Sequence, residues 1–376
     1  MSESHEIALP NTPAYYDSRA SDELISRTPR TDAQGALTPA SSVGSMSLSD
    51  SGVHGIVKTR IFEVEHGGSI RSICFSVDGT KIATGCTDGF GRIIASASGK
   101  EILKTIEHDG WIGALYFSPD ETTFATGCFD GVCRIFDAAN GKIVKAYECG
   151  STLVISLCFA PDGKRLAVGL DNNVLRILDV TSGCEIMKPI EHGNTVHGLH
   201  YSSDGRFIAT GCFDKYLRVF NAATGEEILK KKHGGWVMQV RFSPDCNSIV
   251  TGCGDNLARV FDVASGNEIV EAMKHGGCVF GACFSPDGRC IATCSEDGFA
   301  RIFHVASGKE IMRTMKHGGP LWAVCFSPGA FPFFFISTLF ISILFHLHAL
   351  QMGGASQLAV RTRLCAFFKC PSAMNQ

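Results

Sequence analysis

Histidine, threonine, aspartate and cysteine recur at fixed spacing along this chain of 376 residues. In five places a His is followed eighteen residues later by a Thr and twenty-two residues later by an Asp. The sets are His66, Thr84 and Asp88; His108, Thr126 and Asp130; His192, Thr210 and Asp214; His233, Thr251 and Asp255; and His275, Thr293 and Asp297. A His beside a carboxylate and a hydroxyl is the raw material of general-base catalysis, and His with Cys is that of a metal centre. Recurrence argues against both. Catalysis needs one convergent set in a cleft, whereas a set that appears five times serves five equivalent units. We therefore read these fifteen residues as a structural hydrogen-bond network and assign no catalytic residue.

The seventeen cysteines follow the same logic. Cys86, Cys128, Cys212 and Cys253 share one repeated position, and Cys74, Cys158, Cys283 and Cys325 share another. A free Cys behaves as a small apolar residue, so these are expected to fill the core in a reducing compartment. There is no C-x-x-C pair, and Cys290 and Cys294, four apart on a strand, are poorly placed to share a metal. Without a phosphate-cradling Gly loop, H-E-x-x-H or G-x-S-x-G, no cofactor and no metal are expected.

These spacings belong to a longer unit. Copies start at His66, His108, His192, His233, His275 and His317, with a degenerate one near Cys149, in steps of 41 to 43 residues. Each copy holds four strand-like runs separated by Pro-Asp, Asp-Gly and Ser-Gly turns. A period of that length with four strands is the pattern of a β-propeller blade. The expected fold is all-β: seven four-stranded blades, six complete, the seventh split between an N-terminal strand and an irregular C-terminal copy. Because successive strands reverse direction, the loop with the His and the turn with the Asp share one face of the ring. The S-P-D-G turns lie on the other.

The copy near Cys149 loses all three residues together. Val168 stands at the Thr position, Asn172 at the Asp position, and Cys149 or Gly150 where the His would be. Joint loss follows if the three form one network, because a buried partner left unpaired costs more than replacing the set. On this reading Asp130→Ala costs about 1–3 kcal/mol by stranding a buried His.

The loop His, the F-S-P-D-G turn, the I-A-T-G strand and the D-G-x-x-R-I-F-D ending resemble the WD-repeat family over residues 55–329. The family's Trp-Asp pair is replaced by Ile94-Ala95, Phe136-Asp137, Leu178-Asp179, Phe220-Asn221, Phe261-Asp262 and Phe303-His304, so the network is expected to stop at the Thr. The resemblance implies a non-enzymatic scaffold or adaptor whose partners are other proteins in a multiprotein complex. It also implies a ring closed by residues 57–65, which would complete the blade that starts at His317. An enzyme with its site in the central channel is a reading from another class.

Differences between copies mark where partners would be recognised. Three residues after the His stand Ser69, Trp111, Thr195, Trp236, Cys278 and Pro320, and before the turn Asp stand Thr87, Phe129, Phe213, Gly254 and Glu296. Trp111, Phe129, Phe213 and Trp236 are the candidate partner-binding residues, as aromatic anchors on a rigid surface. Their competing role is to pack over their own blades.

A net charge of −3 leaves no electrostatic footprint for nucleic acid, and none is expected as a direct partner. Residues 1–53, rich in Ser, Thr and Pro, read as a disordered tail ahead of the propeller at 54–329, with Thr-Pro sites at Thr12, Thr28 and Thr38. Register is lost after Gly329, with Phe335 and Leu339 where Thr and Asp are due. Residues 331–350, within an apolar segment at 330–350, are uncharged. They read as translated non-coding sequence, as irregular strands, or as an anchor that would make a membrane-attached adaptor. Residues 351–376 form a tail without repeat character. No apolar segment follows the N-terminus, so a cytoplasmic or nuclear location is expected.

Overall fold

Within the repeats, short runs rich in β-branched and aromatic residues, each ended by a Gly- or Asp-containing turn, favour strands over helix. The computed structural model describes residues 60–105, 107–314 and 316–328, and follows two further strands, Phe333–Thr338 and Arg363–Lys369, through the backbone. Every regular element among them is a strand.

The second blade shows the plan. Ile112–Phe117, Thr123–Cys128, Val132–Asp137 and Ile143–Glu148 pair antiparallel in chain order. Six sheets of this kind are complete, so the all-β propeller of four-stranded blades stands as expected. In the remaining sheet Leu321–Phe326 pairs with Phe333–Thr338, that strand with Arg363–Lys369, and that one with Arg60–His66. The side chains of its two middle strands lie outside the described residues. One of those strands comes from the apolar segment and the other from 351–376, where the sequence carries no repeat signal. The rest of 331–350 and the whole of 1–53 lie outside the described residues. Among the described residues no helix is long and apolar enough to cross a membrane.

The first strands Ile70–Phe75, Ile112–Phe117, Val154–Phe159, Val196–Tyr201, Val237–Phe242, Val279–Phe284 and Leu321–Phe326 adjoin one another in that order, and the last adjoins the first. They line a central channel. Sheets stacked face to face bury both sides of these strands, and Val154–Phe159 is buried at all six positions. The outermost strands have one dry neighbour only, so Ile143–Glu148 alternates between exposed and half-buried. Apolar clusters bridge blades, as where Ile93 of the first blade meets Leu115, Phe124 and Phe136 of the second. Each such side chain contributes about 1.5–3 kcal/mol by leaving water. Cys86, Cys128, Cys212 and Cys253 are fully buried, as filling of the core requires.

One irregularity repeats in every first strand. The register slips at the second residue, so Arg71, Gly113, Ile155, His197, Met238, Phe280 and Trp322 each stand as the extra residue of a β-bulge. A bulge interrupts the strict alternation of faces and re-aims the side chain that it carries.

Candidate functional site

Each repeated His sits where the fourth strand of one blade hands over to the first strand of the next. Its backbone N–H is bonded to the carbonyl of the turn residue of the preceding blade: His108 to Gly89, His192 to Asn173, His233 to Lys215 and His275 to Asn256, all at 2.8–3.0 Å. Those turn residues adopt left-handed φ values, from 68° at Asn256 to 79° at Gly89, which aims the carbonyl outward. Gly and Asn accept this conformation readily, whereas Lys215 adopts it at a cost.

The His side chain then reaches into the following blade. Nε2 lies 2.8–3.0 Å from the Thr hydroxyl in all five sets. Nδ1 faces a backbone carbonyl at 2.9–3.4 Å and must carry the proton, so Thr Oγ1 donates to Nε2. All five Thr are fully buried. Burial pushes the pKa of His66, His192, His233 and His275 down to about 4, with the nearby Arg adding to the shift, so these rings are neutral.

The Asp of each set occupies a neighbouring position with a different partner. Asp88, Asp130, Asp214, Asp255 and Asp297 pair with Arg92, Arg134, Arg218, Arg259 and Arg301, four residues on, at 2.5–2.9 Å. In four sets the same carboxylate accepts the N–H of the Gly after the His, at 2.8–3.2 Å. Asp130→Ala thus strands Arg134 rather than the His, which corrects the route expected from spacing alone. For Asp88, Asp214 and Asp297 burial works to raise the carboxyl pKa, and the Arg hydrogen bond and charge together with the backbone N–H bonds outweigh it, holding each below its ordinary value. The Arg recurs in six copies, at Arg92, Arg134, Arg176, Arg218, Arg259 and Arg301, four residues after the Asp in five of them, and that recurrence was the signal that would have found it.

Phe136, Phe220, Phe261 and Phe303, standing where the resembled pattern has Trp, pack against the imidazoles at 5.4–5.7 Å between centroids. A ring contact thus occupies the place of a hydrogen bond. The profile described as WD domain, G-beta repeat matches residues 58–94, 99–137, 141–179, 183–221, 226–262 and 268–304, more than half of the chain. The chain belongs to this WD-repeat family. No curated protein matches it.

On the His-bearing face of this WD-repeat ring, the four candidate aromatics fall into two pairs. Trp111 rests on Phe129 of its own blade with centroids 5.6 Å apart, and both are half-buried. Trp236, half-buried, lies 5.4 Å from Phe213 of the preceding blade. Phe213 is itself buried and stacks on His197 at 5.2 Å, so it supports Trp236 and is no surface anchor. Three bulge residues missed from the sequence join the first pair. The Arg71 guanidinium lies 5.5 Å from the centre of Trp111 and 4.1 Å from that of Trp322, which stacks on Phe280 at 4.2 Å. Arg71, Phe280 and Trp322 share one repeat position, the bulged second residue of the first strand.

At the other end of the channel, one residue from each first strand lines a cavity: Cys74, Tyr116, Cys158, His200, Arg241, Cys283 and Cys325. The Cys of this position therefore border open space as well as packing, which corrects their reading as core filling alone. Arg241 reaches across to donate to the Tyr116 hydroxyl. The described residues hold no cluster of His, Cys, Asp or Glu suited to a metal ion.

Proposed function

We propose that this WD-repeat protein is a non-enzymatic interaction scaffold that docks other proteins on the face carrying the His loops. The observation that carries the reading is the half-buried group Phe280, Arg71, Trp111 and Phe129, supported from beneath by the buried Trp322, with Trp236 as a second anchor. Large rings held by their neighbours present contact area without losing much rotamer freedom on binding, and such residues dominate interface energies. The loops beside them can vary without disturbing the stacked sheets. The repeated His, Thr and Asp serve the ring's integrity and not turnover. The fifteen free cysteines among the described residues support a reducing location, the cytoplasm or nucleus.

The test is a Trp111→Ala, Trp236→Ala double variant used as bait in affinity capture beside the parent protein. It is expected to melt within a few degrees of the parent and to lose its partners. Retention of the same partners by a folded double variant defeats the proposal.

A further inference from the structure

The channel end opposite the His loops opens into a cavity of about 500 Å³, within the range of small-molecule sites. Its walls are largely apolar, with Ile73, Pro161, Pro244 and Pro286 among them. Set into these walls is a cation whose partners are all neutral. Arg241 Nη1 donates to the carbonyls of Leu199 and Val240 and to Gln239 Oε1, and Nη2 donates to Tyr116 Oη. Among the described residues no carboxylate pairs with it. A guanidinium carries five N–H groups, so Nε and one Nη2 hydrogen keep no protein acceptor among these bonds. Arg241 is half-buried, and a guanidinium partly removed from water without a counter-ion gains from an anion that enters the cavity.

Two neutral donors line the same cavity. Tyr116 Oη accepts from Arg241, which leaves its own O–H to donate. His200 Nδ1 accepts the N–H of Phe242 at 3.2 Å, so the proton of the neutral ring sits on Nε2. One positive charge and two neutral donors suit one carboxylate, and a polyphosphate would find too few cations.

We propose that this cavity binds a single carboxylate carried on an apolar body, with Arg241, Tyr116 and His200 holding the carboxylate. The site is separate from the aromatic face, and the Trp111→Ala, Trp236→Ala variant should bind such a ligand as the parent does.

The full chain is titrated with hexanoate, 3-phenylpropanoate, 3-phenylpropanamide and inorganic phosphate, following the melting temperature and the heat of binding. A tetrapeptide ending in Phe, with a free or an amidated C-terminus, forms a further arm. The acids are expected to raise the melting temperature while the amide and phosphate do not. Arg241→Met should weaken acid binding about tenfold or more and leave the ligand-free melting temperature unchanged or higher. Tyr116→Phe should weaken it severalfold, which keeps the test open if Arg241→Met fails to fold. Binding of the free-carboxylate peptide in place of the small acids keeps the chemistry and assigns its source to a chain end. The proposal fails if no carboxylate binds at about 10 mM, if amide or phosphate binds as well as acid, or if Arg241→Met binds acid undiminished.

Discussion

In the second blade Thr126 Oγ1 donates to His108 Nε2 at 3.0 Å and Asp130 holds Arg134 at 2.7 Å; in the third blade Cys149, Val168 and Asn172 occupy those places. The backbone does not register the exchange. The N–H of Cys149 meets the carbonyl of Gly131 at 2.9 Å, as that of His108 meets Gly89 at 3.0 Å. Cys149 and Val168 join Cys133 in one apolar cluster, so the His and Thr are replaced by packing. Asp171 takes the Thr152 hydroxyl and the Leu153 N–H, and Arg176 keeps Glu185 at 3.3 Å, the counterpart of the Glu partners of Arg92, Arg218 and Arg301 in other blades. The polar link between blades is thus replaceable as a set, because each half is costly alone, whereas the backbone link is common to both blades.

The comparison is broken most severely at the ion pair. Asp214→Ala leaves the Arg218 guanidinium, 7% exposed, with only Glu227 at 3.2 Å, and is expected to cost about 3 kcal/mol by chemical denaturation. Asn172→Ala in the third blade should cost less than about 0.5 kcal/mol, and equal losses would abolish the distinction. Next in size, Thr126→Val deprives a buried imidazole of its donor and should cost about 1–3 kcal/mol. Adding His108→Cys to it should return part of that loss, whereas a strictly additive double variant would show that the pair is not coupled.

The comparison is sharpened last by pH. Histidines held at about 4 in the fold but near 6.5 when unfolded bind fewer protons folded than unfolded between those values. Stability is therefore full above about pH 6.5 and falls as pH drops toward 4, by about 1.4 kcal/mol per pH unit for each His. Replacing His192 and Thr210 with Cys and Val, the third-blade residues, should flatten the pH profile by about one such increment. An unchanged slope would place the acid lability elsewhere.

The period of the repeats and the eighteen-residue step from His to Thr made the blades and half of each network legible, because antiparallel meanders map fixed spacing onto fixed neighbours. The partner of the Asp was not legible from spacing. Asp and His share a face, but the Arg four residues on approaches from the next strand with a longer reach. The channel mouth was hidden for another reason. A bulge at the second residue of every first strand breaks the period-two rule, so counting alternate residues does not single out Arg71, Phe280 and Trp322. Phe213 matched Phe129 by position, yet His197 beneath it and Trp236 beside it make it a support. The strand Arg363–Lys369 had no repeat signal by which to be found.

The handing of each His from one blade into the next also makes the ring mechanically uneven. At most seams between the described blades, a backbone bond to one blade and an imidazole bond to the next are joined through the His. Where Cys149 replaces the His, the backbone bond acts with apolar contact alone, which slides more easily than a directed bond shears. A load applied by partners pulling on different blades would be taken up unevenly, and the joint between the second and third blades is more compliant than those that carry a His–Thr bond.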